Sequence, residues 1–282
     1  MLSHIVRFLR CPVCRAALRR EGDSLRCGAG HAFDIARQGY VNLLAGAAGH
    51  RDVDTPAMVD ARARFLRGGY YAPLADLLAA RGEQIMSAAP AGTCVLDVGA
   101  GTGYYLARIL DRCTGRPGIA LDISKYAARR AARAHPRIGA VVADTWRPFP
   151  VQTGSAGLAL VGFAPRNAAE LHRVLSTDGR LLLVTPARQH LQEIIAPLGL
   201  LRIDESKAER LSARLDRWFA PAGEQELAGM LRLDRPALLA LAMMGPSAWH
   251  VSADVLEQRI RRLAEPVDVT AAFTVTSHQA RT

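Results

Sequence analysis

Three cysteines and one histidine near the start of the chain have a spacing that is typical of a metal site. Cys11 and Cys14 are separated by two residues, Cys27 and His31 by three, and twelve residues lie between the two pairs. This pattern places four donors of the kind that zinc prefers around one tetrahedral centre. Because protein ligands fill all four positions, we expect a structural zinc site, with metal binding supplying the folding energy of this short segment.

The residues around this pattern predict a small module followed by helices. Residues 15–26 are expected to form a β-hairpin that turns at Glu21-Gly22-Asp23. His31–Gly49 contains several glycines and little hydrophobic periodicity, and is expected to be a connector. Two helices are predicted in residues 50–85, with a break at Gly68-Gly69.

From residue 91 short apolar strands alternate with amphipathic helices, which predicts a doubly wound, Rossmann-like parallel sheet of the α/β class. The first strand, residues 94–98, is followed by Gly99, Gly101, Thr102 and Gly103 in one turn, and a helix begins at Tyr104. A glycine-rich turn before a helix lets the backbone and the helix N-terminus approach a nucleotide closely. We therefore expect this turn to bind a nucleotide cofactor.

Three carboxylates near the ends of predicted strands distinguish between two cofactors. Asp97 lies two residues before the first glycine of the turn, where it can reach the amino group of a methionine moiety. NAD-binding turns usually have an apolar residue at that point. Asp122 can accept hydrogen bonds from ribose hydroxyls, a feature that NAD-binding enzymes share, and Asp144 can bond an adenine amino group. The set favours S-adenosylmethionine over NAD, and a methyltransferase over an NAD-dependent oxidoreductase.

The loop after the fourth predicted strand, Gly162-Phe163-Ala164-Pro165, occupies the position that faces the transferred methyl group in methyltransferases. It is loosely similar to the N-P-P-Y loop of enzymes that methylate exocyclic amines. Phe163 replaces the asparagine of that loop, and the second aromatic residue is missing. An exocyclic amine is therefore a less suitable methyl acceptor, whereas the loop is compatible with a ring nitrogen as the acceptor.

The charge of the chain favours a phosphate-rich partner. It carries 36 lysines and arginines against 26 aspartates and glutamates, a net charge of +10 at pH 7, and nearly all of the cations are arginines, which bind phosphate through paired hydrogen bonds. Together with the metal module, this indicates RNA. Lys125, Arg129 and Arg133 share one side of a helix predicted over 124–135, where solvent exposure is favoured over an RNA contact. The module itself contains Arg7, Arg10, Arg15, Arg19, Arg20 and Arg26.

The remaining composition indicates a reducing compartment. The five cysteines are an odd number, and Cys94 and Cys113, outside the metal pattern, are expected to be apolar packing residues. No apolar run reaches the roughly 20 residues that a membrane helix requires. The N-terminus does not have the features of a signal peptide. We therefore expect a cytoplasmic protein without a membrane partner.

Besides the cysteine and histidine pattern and the turn before Tyr104-Tyr105, the chain contains several distinctive motifs. They are Gln38–Leu44, Ala63–Leu66, Gly69–Tyr71, Thr185-Pro186 with His190, and Pro246 with Trp249. Together these motifs resemble the RlmA family of bacterial 23S rRNA guanine-N1 methyltransferases, over nearly the whole chain. Residues 205–233 match the family poorly, and Gly245 replaces the threonine of its Met-Thr-Pro motif.

This resemblance implies a specific reaction, partner and site. The reaction is S-adenosylmethionine-dependent methylation of guanine N1 in hairpin 35 of 23S rRNA, of the guanine-748 type, with resistance to tylosin and other macrolides as its consequence. The high alanine and arginine content is most similar to the tylosin-resistance members. The resemblance also implies a homodimer, zinc ligands at Cys11, Cys14, Cys27 and His31, and cofactor contacts at Tyr71, Thr102, Gly103 and His190.

Guanine N1 carries a proton in its neutral form, so methylation requires loss of that proton and alignment of N1 with the methyl group. A paired guanine must first be flipped out of its helix. Phe163 and Trp249 are candidates to stack on the guanine, with core packing as an equal alternative. The general base that removes the N1 proton is not assigned among Asp54, Glu170 and His190. A purely structural role for His190 is an equal alternative.

Two other functions are kept as alternatives. A methyltransferase for a small molecule such as a polyketide would need neither the metal module nor the positive charge. A non-catalytic, zinc-containing RNA-binding protein of ribosome assembly would not need the intact cofactor residues. In the favoured organisation, residues 1–36 form a zinc-binding RNA-recognition module, 37–90 a linker with helices, and 91–282 the S-adenosylmethionine-dependent methyltransferase domain.

Overall fold

The N-terminal part folds as a small antiparallel sheet. The computed structural model describes residues 2–44, 53–201 and 215–281. In these ranges the small sheet has three strands, which are β1 (Leu18–Glu21), β2 (Ser24–Cys27) and β3 (Ala32–Asp34). Glu21 pairs with Ser24 across the turn, where Gly22 has a φ of 58°. The predicted β-hairpin is therefore confirmed.

The prediction of a connector over His31–Gly49 is wrong for the residues that the structure describes. The segment contains β3 and a further strand, β4 (Tyr40–Asn42), which pairs in parallel with residues 140–142 at the edge of the main sheet. Strands of three residues are too short to show hydrophobic alternation, so the periodicity of the sequence did not indicate them. Residues 45–52, which include the end of the predicted connector, lie outside the described residues.

Two helices follow, and they confirm the prediction. They are α1 (Pro56–Arg67) and α2 (Ala72–Ala88). The side-chain oxygen of Thr55 accepts a hydrogen bond from the backbone N–H of Met58, which caps the start of α1. The break falls at Gly68-Gly69, and the φ of 79° at Gly69 is one that favours glycine.

The main sheet has the five strands predicted from the alternating pattern, together with β4 and two strands at the C-terminal end. Those after β4 in the described ranges are β5 (Cys94–Val98), β6 (Gly118–Asp122), β7 (Ile138–Val142), β8 (Ala156–Gly162), β9 (Leu175–Pro186), β10 (Phe219–Leu233) and β11 (Val267–Ala280). Their order is β10-β11-β9-β8-β5-β6-β7-β4. Strands β4 to β9 are parallel, which confirms a Rossmann-like α/β fold.

The sheet is mixed rather than entirely parallel, which corrects the prediction. Strand β11 is antiparallel to both β9 and β10. The sequence did not indicate β10 because this edge strand exposes most of its side chains and has no continuous apolar side. Residues 205–214, the first part of the segment that matches the family poorly, lie outside the described residues.

Helices cover one face of the sheet, and the N-terminal module and one helix cover the other. The helix predicted over 124–135 is shorter than expected, because the Ser124 side chain caps its start and it ends at Ala131.

No helix in the described part of the chain is long and apolar enough to cross a membrane. Within the described ranges, the helices after α2 are α3 (Tyr104–Arg112), α4 (Lys125–Ala131), α5 (Ala168–Val174), α6 (Gln192–Leu198), α7 (Arg235–Met243) and α8 (Ala253–Ile260).

Two apolar cores lie on opposite faces of the sheet, and the N-terminal module belongs to one of them. Ile5 and Leu9, which precede the first cysteine, are fully buried in the same core as Leu96 of β5. Gly139 of β7 allows this approach, since a Cβ at that position would lie 2.3 Å from the Cδ1 of Ile5. The module and the sheet therefore share one hydrophobic core.

We expect Ile5→Ala to destabilise the whole protein by about 2–5 kcal/mol, because it leaves a cavity between the module and the sheet. The change should lower the midpoint of a single unfolding transition in thermal or urea denaturation. Val13→Ala is the matched control, since Val13 lies in the same module but is 58% exposed. A separate early transition for the module, with the sheet unaffected, would contradict the shared core.

Candidate metal centre and cofactor site

The structure brings the four predicted metal ligands together. The ligand atoms of Cys11, Cys14, Cys27 and His31 all lie within 4.8 Å of one another. The Sγ of Cys14 is 3.6 Å from the Sγ of Cys27, and Nδ1 of His31 is 3.3 Å from Cys27 and 3.7 Å from Cys11. Ligands of a tetrahedral zinc ion with Zn–S bonds of about 2.3 Å are separated by similar distances. The donor set therefore fits zinc, with His31 binding through Nδ1.

Two tight turns place these ligands. The N–H of Arg15 donates to the carbonyl of Cys11, and the N–H of Gly30 donates to the carbonyl of Cys27. Arg15 adopts a φ of 64°, which is unusual for a residue with a side chain, and Gly30 a φ of 85°. The backbone thus curls twice around one point, as the cysteine and histidine spacing requires.

Arg10 connects the metal module to the sheet and does not face solvent. Its Nε donates to the carbonyl of Phe149 at 3.1 Å, and its guanidinium lies 3.6 Å from Glu170. Glu170 also accepts from the backbone N–H of Phe149 and pairs with Arg173 at 2.7 Å. Although burial raises the pKa of Glu170, the hydrogen bond from Arg173 leaves it below its usual range. These contacts argue against Arg10 as an RNA contact and against Glu170 as the base.

The glycine turn lies against the ends of two strands. Gly99 has a φ of 74°, and a Cβ there would lie 2.3 Å from the Cβ of Ala164, which follows β8. Gly103 has a φ of 77°, and its Cβ would lie 3.0 Å from the Cα of Ala131 in α4. Both positions therefore require glycine for their conformation and their close contacts. The turn leaves the N-terminus of α3 at the edge of the sheet.

Three carboxylates lie at the carboxyl ends of the adjacent strands β5, β6 and β7, as the sequence predicted. Asp97 is 3% exposed, and burial together with the charge of Asp122 raises its pKa to about 8. Asp122 accepts hydrogen bonds of 2.8 Å from the N–H groups of Gly101 and Ser124, and burial raises its pKa. Asp144 accepts from the N–H of Trp146. This edge of the sheet therefore carries carboxylates suited to cationic or hydroxyl groups.

His190 is held in one tautomer. Its Nδ1 accepts a hydrogen bond from the N–H of Ala272 at 3.1 Å, so the ring proton lies on Nε2, which is 3.4 Å from the Tyr71 hydroxyl. Burial lowers the pKa of His190 to about 4 and raises that of Tyr71. Both rings pack on Phe273, with centroid distances of 4.8 and 4.9 Å. Neither nitrogen of His190 is free to accept a proton, which argues against His190 as the base.

The aromatic candidates lie at the surface. Phe163 directly follows β8, is 49% exposed, and has a φ of 58° that is costly for an aromatic residue. Its ring lies 5.8 Å from that of Phe273, which joins it to the Tyr71 and His190 cluster. Trp249 is 38% exposed at the end of the 3-10 turn Pro246–Trp249. The sequence analysis did not identify Trp146, which is an exposed aromatic residue at the same edge of the sheet. The signal that could have indicated it is its position two residues after Asp144.

The start of α1 contacts the same edge of the sheet. The carbonyl of Asp54 accepts from the Ser124 hydroxyl at 2.9 Å, and its carboxylate pairs with Arg62. Arg62 also donates to the carbonyl of Met244 at 2.7 Å. On α4, Arg130 pairs with an aspartate of α1, so the basic side of that helix is partly covered. Asp54 therefore contacts Ser124 near the glycine turn, and its carboxylate is paired with the guanidinium of Arg62.

Comparison with known proteins agrees with this geometry. The model of the RlmA N-terminal zinc ribbon matches residues 9–47. A 23S rRNA (guanine(748)-N(1))-methyltransferase of Streptomyces fradiae is 47% identical over 276 residues, which cover 98% of both chains. The chain belongs to the RlmA family of 23S rRNA guanine-N1 methyltransferases. A relative from Micromonospora griseorubida, provisionally named as a 23S rRNA (guanine-N(1)-)-methyltransferase, is 46% identical over 287 residues, which cover 96% of this chain and 97% of its own.

Family membership decides between the alternatives drawn from the sequence. An enzyme of this family needs a methyl donor, which excludes the NAD-dependent oxidoreductase. The likeness extends over both the zinc ribbon and the sheet, so it also argues against a small-molecule acceptor and against a protein without catalytic activity.

We expect Cys14→Ser to remove bound zinc and to lower the thermal unfolding midpoint of the RlmA-family protein. Cys14 is exposed, so its packing contributes little and the change reports on metal binding, which is the main source of folding energy in such modules. Elemental analysis gives the zinc content, and calorimetry gives the midpoint. Cys113→Ser, outside the cluster, should keep the zinc content. Full zinc occupancy in Cys14→Ser would contradict the proposed ligand set.

Proposed function

We propose that this enzyme methylates N1 of a guanine in hairpin 35 of 23S rRNA, at the position equivalent to 748, with S-adenosylmethionine as methyl donor. The observation that carries the proposal is the 47% identity to the guanine(748)-N(1) enzyme over 98% of the chain. The glycine turn and the three strand-end carboxylates support the choice of cofactor. In the producer of a macrolide this methylation would give resistance to tylosin.

The residues at the sheet edge fit the parts of the cofactor. Asp97 has no hydrogen bond from any residue that the structure describes and is suited to the methionyl ammonium group. Asp122 has lone pairs left for ribose hydroxyls, and Asp144 can accept from the adenine amino group. Tyr71, Thr102, Gly103 and His190 complete the set that the family resemblance implies. When bound, S-adenosylmethionine supplies an electrophilic methyl group.

On the acceptor side of the site, we infer that the protein mainly positions the guanine and contributes less to its chemical activation. Phe163 directly follows β8, the strand next to β5, and its strained backbone holds an exposed ring at this edge of the sheet. We infer that this ring stacks on the guanine and that Trp249 forms a second wall. Correct alignment of N1 with the methyl group supplies a large part of the rate enhancement of such a transfer. Of the three residues considered as the general base that removes the N1 proton, Asp54 is the one that remains, since its carboxylate pairs with Arg62, which lies beside Gly101.

The zinc module is proposed to select the RNA. Residues 1–36 would recognise the hairpin, residues 37–90 would connect it to the sheet, and residues 91–282 would carry out the transfer. Arg20 and Arg26 have partners within the module, since they lie near Asp23 and Glu21. Arg15 and Arg19 are exposed and suit phosphate groups. A homodimer, implied by the family, would present two such modules to the ribosomal RNA.

The function is tested with purified protein, S-adenosylmethionine and unmodified 23S rRNA. Methyl groups on guanine N1 block base pairing, so primer extension across hairpin 35 should stop at one guanine. The stop should require both enzyme and cofactor. Label transferred only to a small molecule, or no transfer to this hairpin, would overturn the proposal.

We expect Phe163→Ala to lower the rate of rRNA methylation about fivefold or more, because stacking of a base on an aromatic ring contributes about 1–3 kcal/mol. Phe163→Tyr should keep most of the rate, and the affinity for S-adenosylhomocysteine should not change in either variant. Tyr126→Ala, which removes an exposed ring from α4, is the matched control. Wild-type methylation by Phe163→Ala would show that another residue holds the guanine.

A further inference from the structure

Arg62 of α1 lies beside the glycine turn, although no sequence motif indicated it. A Cβ built on Gly101 would lie 3.4 Å from the Nη1 of Arg62 and 3.6 Å from its Cδ. Burial raises the pKa of Asp122 and of Tyr105, and the positive charge of Arg62 partly opposes both shifts. Arg62 is therefore part of the same site as the buried carboxylates.

The guanidinium of Arg62 is oriented by two contacts and still has free donors. Nη1 donates to the carboxylate of Asp54, and Nη2 donates to the carbonyl of Met244 at 2.7 Å. A guanidinium has five N–H donors. Subtracting the two that are used leaves three without an acceptor in the described part of the chain. The Arg62 side chain is 26% exposed, so these donors can be reached by a ligand.

The carboxyl groups at the glycine turn favour a cation beside a bound carboxylate ligand. The methionyl moiety carries an ammonium and a carboxylate group on the same carbon atom. If the ammonium lies at Asp97, the carboxylate must lie nearby, in a site that also contains the carboxyl groups of Asp122 and Asp54. An arginine presents paired donors in the plane that a carboxylate needs and lowers the cost of its desolvation.

We propose that Arg62 binds the α-carboxylate of the methionyl moiety. The proposal rests on the proposed function only in taking S-adenosylmethionine as the cofactor. Through its bond to the carbonyl of Met244, Arg62 also links the occupied cofactor site to the segment that ends at Trp249. The same side chain therefore lies beside the glycine turn and also contacts the segment that precedes Trp249.

A different role would be that of a structural brace between Asp54 and Met244. The two roles predict different dependence on the ligand. A brace would affect every ligand of the site equally, whereas a carboxylate partner would affect only ligands that carry the carboxylate. S-adenosylhomocysteine and its decarboxylated analogue, S-adenosyl-3-thiopropylamine, differ in that group alone and both keep the ammonium for Asp97.

The test measures the dissociation constants of both ligands by isothermal titration calorimetry, with the full-length zinc-loaded protein and no RNA. Arg62→Gln should weaken S-adenosylhomocysteine about tenfold or more, as expected for hydrogen bonds to a charged group. It should change the affinity for the decarboxylated analogue by less than about twofold, since no bond to that ligand is lost. Arg64→Gln, two residues further along α1, should leave both constants unchanged.

Equal weakening of both ligands would establish the brace and overturn the proposal, as would unchanged binding of both. If circular dichroism shows that Arg62→Gln is not folded, Arg62→Lys is used in its place. This variant keeps the positive charge but loses the paired donors of the guanidinium. It should weaken S-adenosylhomocysteine more than the decarboxylated analogue. Because no RNA is present, a negative result would leave the proposed rRNA methylation untouched.

Discussion

Two carboxylates buried side by side at the glycine turn constrain this site more than any other feature. Burial raises the pKa of both Asp97 and Asp122. Asp122 is satisfied by two backbone N–H groups, but Asp97 receives no hydrogen bond from the described residues. Keeping both ionised is costly unless a positive charge is present. The site therefore favours a ligand that brings a cation to Asp97, and the methionyl ammonium is suited to this.

The zinc module is part of the same packed structure, which sharpens its role. Its apolar residues share a core with β5, and Arg10 joins it to Glu170 below the sheet edge. A module held in this way has a fixed orientation relative to the strand ends. In the proposed function, an RNA hairpin bound by the module is therefore presented to Phe163 at a defined distance. Loss of zinc should disturb this geometry as well as the module itself.

Features that depend on local spacing could be predicted from the sequence. The cysteine and histidine pattern, the glycine turn with Asp97, and the cap of α1 are all encoded within a few residues. Features that depend on distant partners could not. Strand β4 becomes a strand by pairing with β7, and β10 has no apolar side because it lies at an edge. Arg62 is indistinguishable in sequence from its neighbours on α1 until the fold places it beside Gly101.

The central claim, that Asp97 receives the cofactor ammonium, is tested most directly by proton-linked binding. In the free protein Asp97 holds a proton below its pKa of about 8, and that proton must leave when a cation binds. Calorimetry of S-adenosylhomocysteine in buffers of different ionisation enthalpy should show proton release below pH 8, and affinity should rise by up to about tenfold per pH unit between pH 6 and 8. Asp97→Asn should abolish both effects. A wild-type affinity that is independent of pH over this range, with no proton released, would contradict the account.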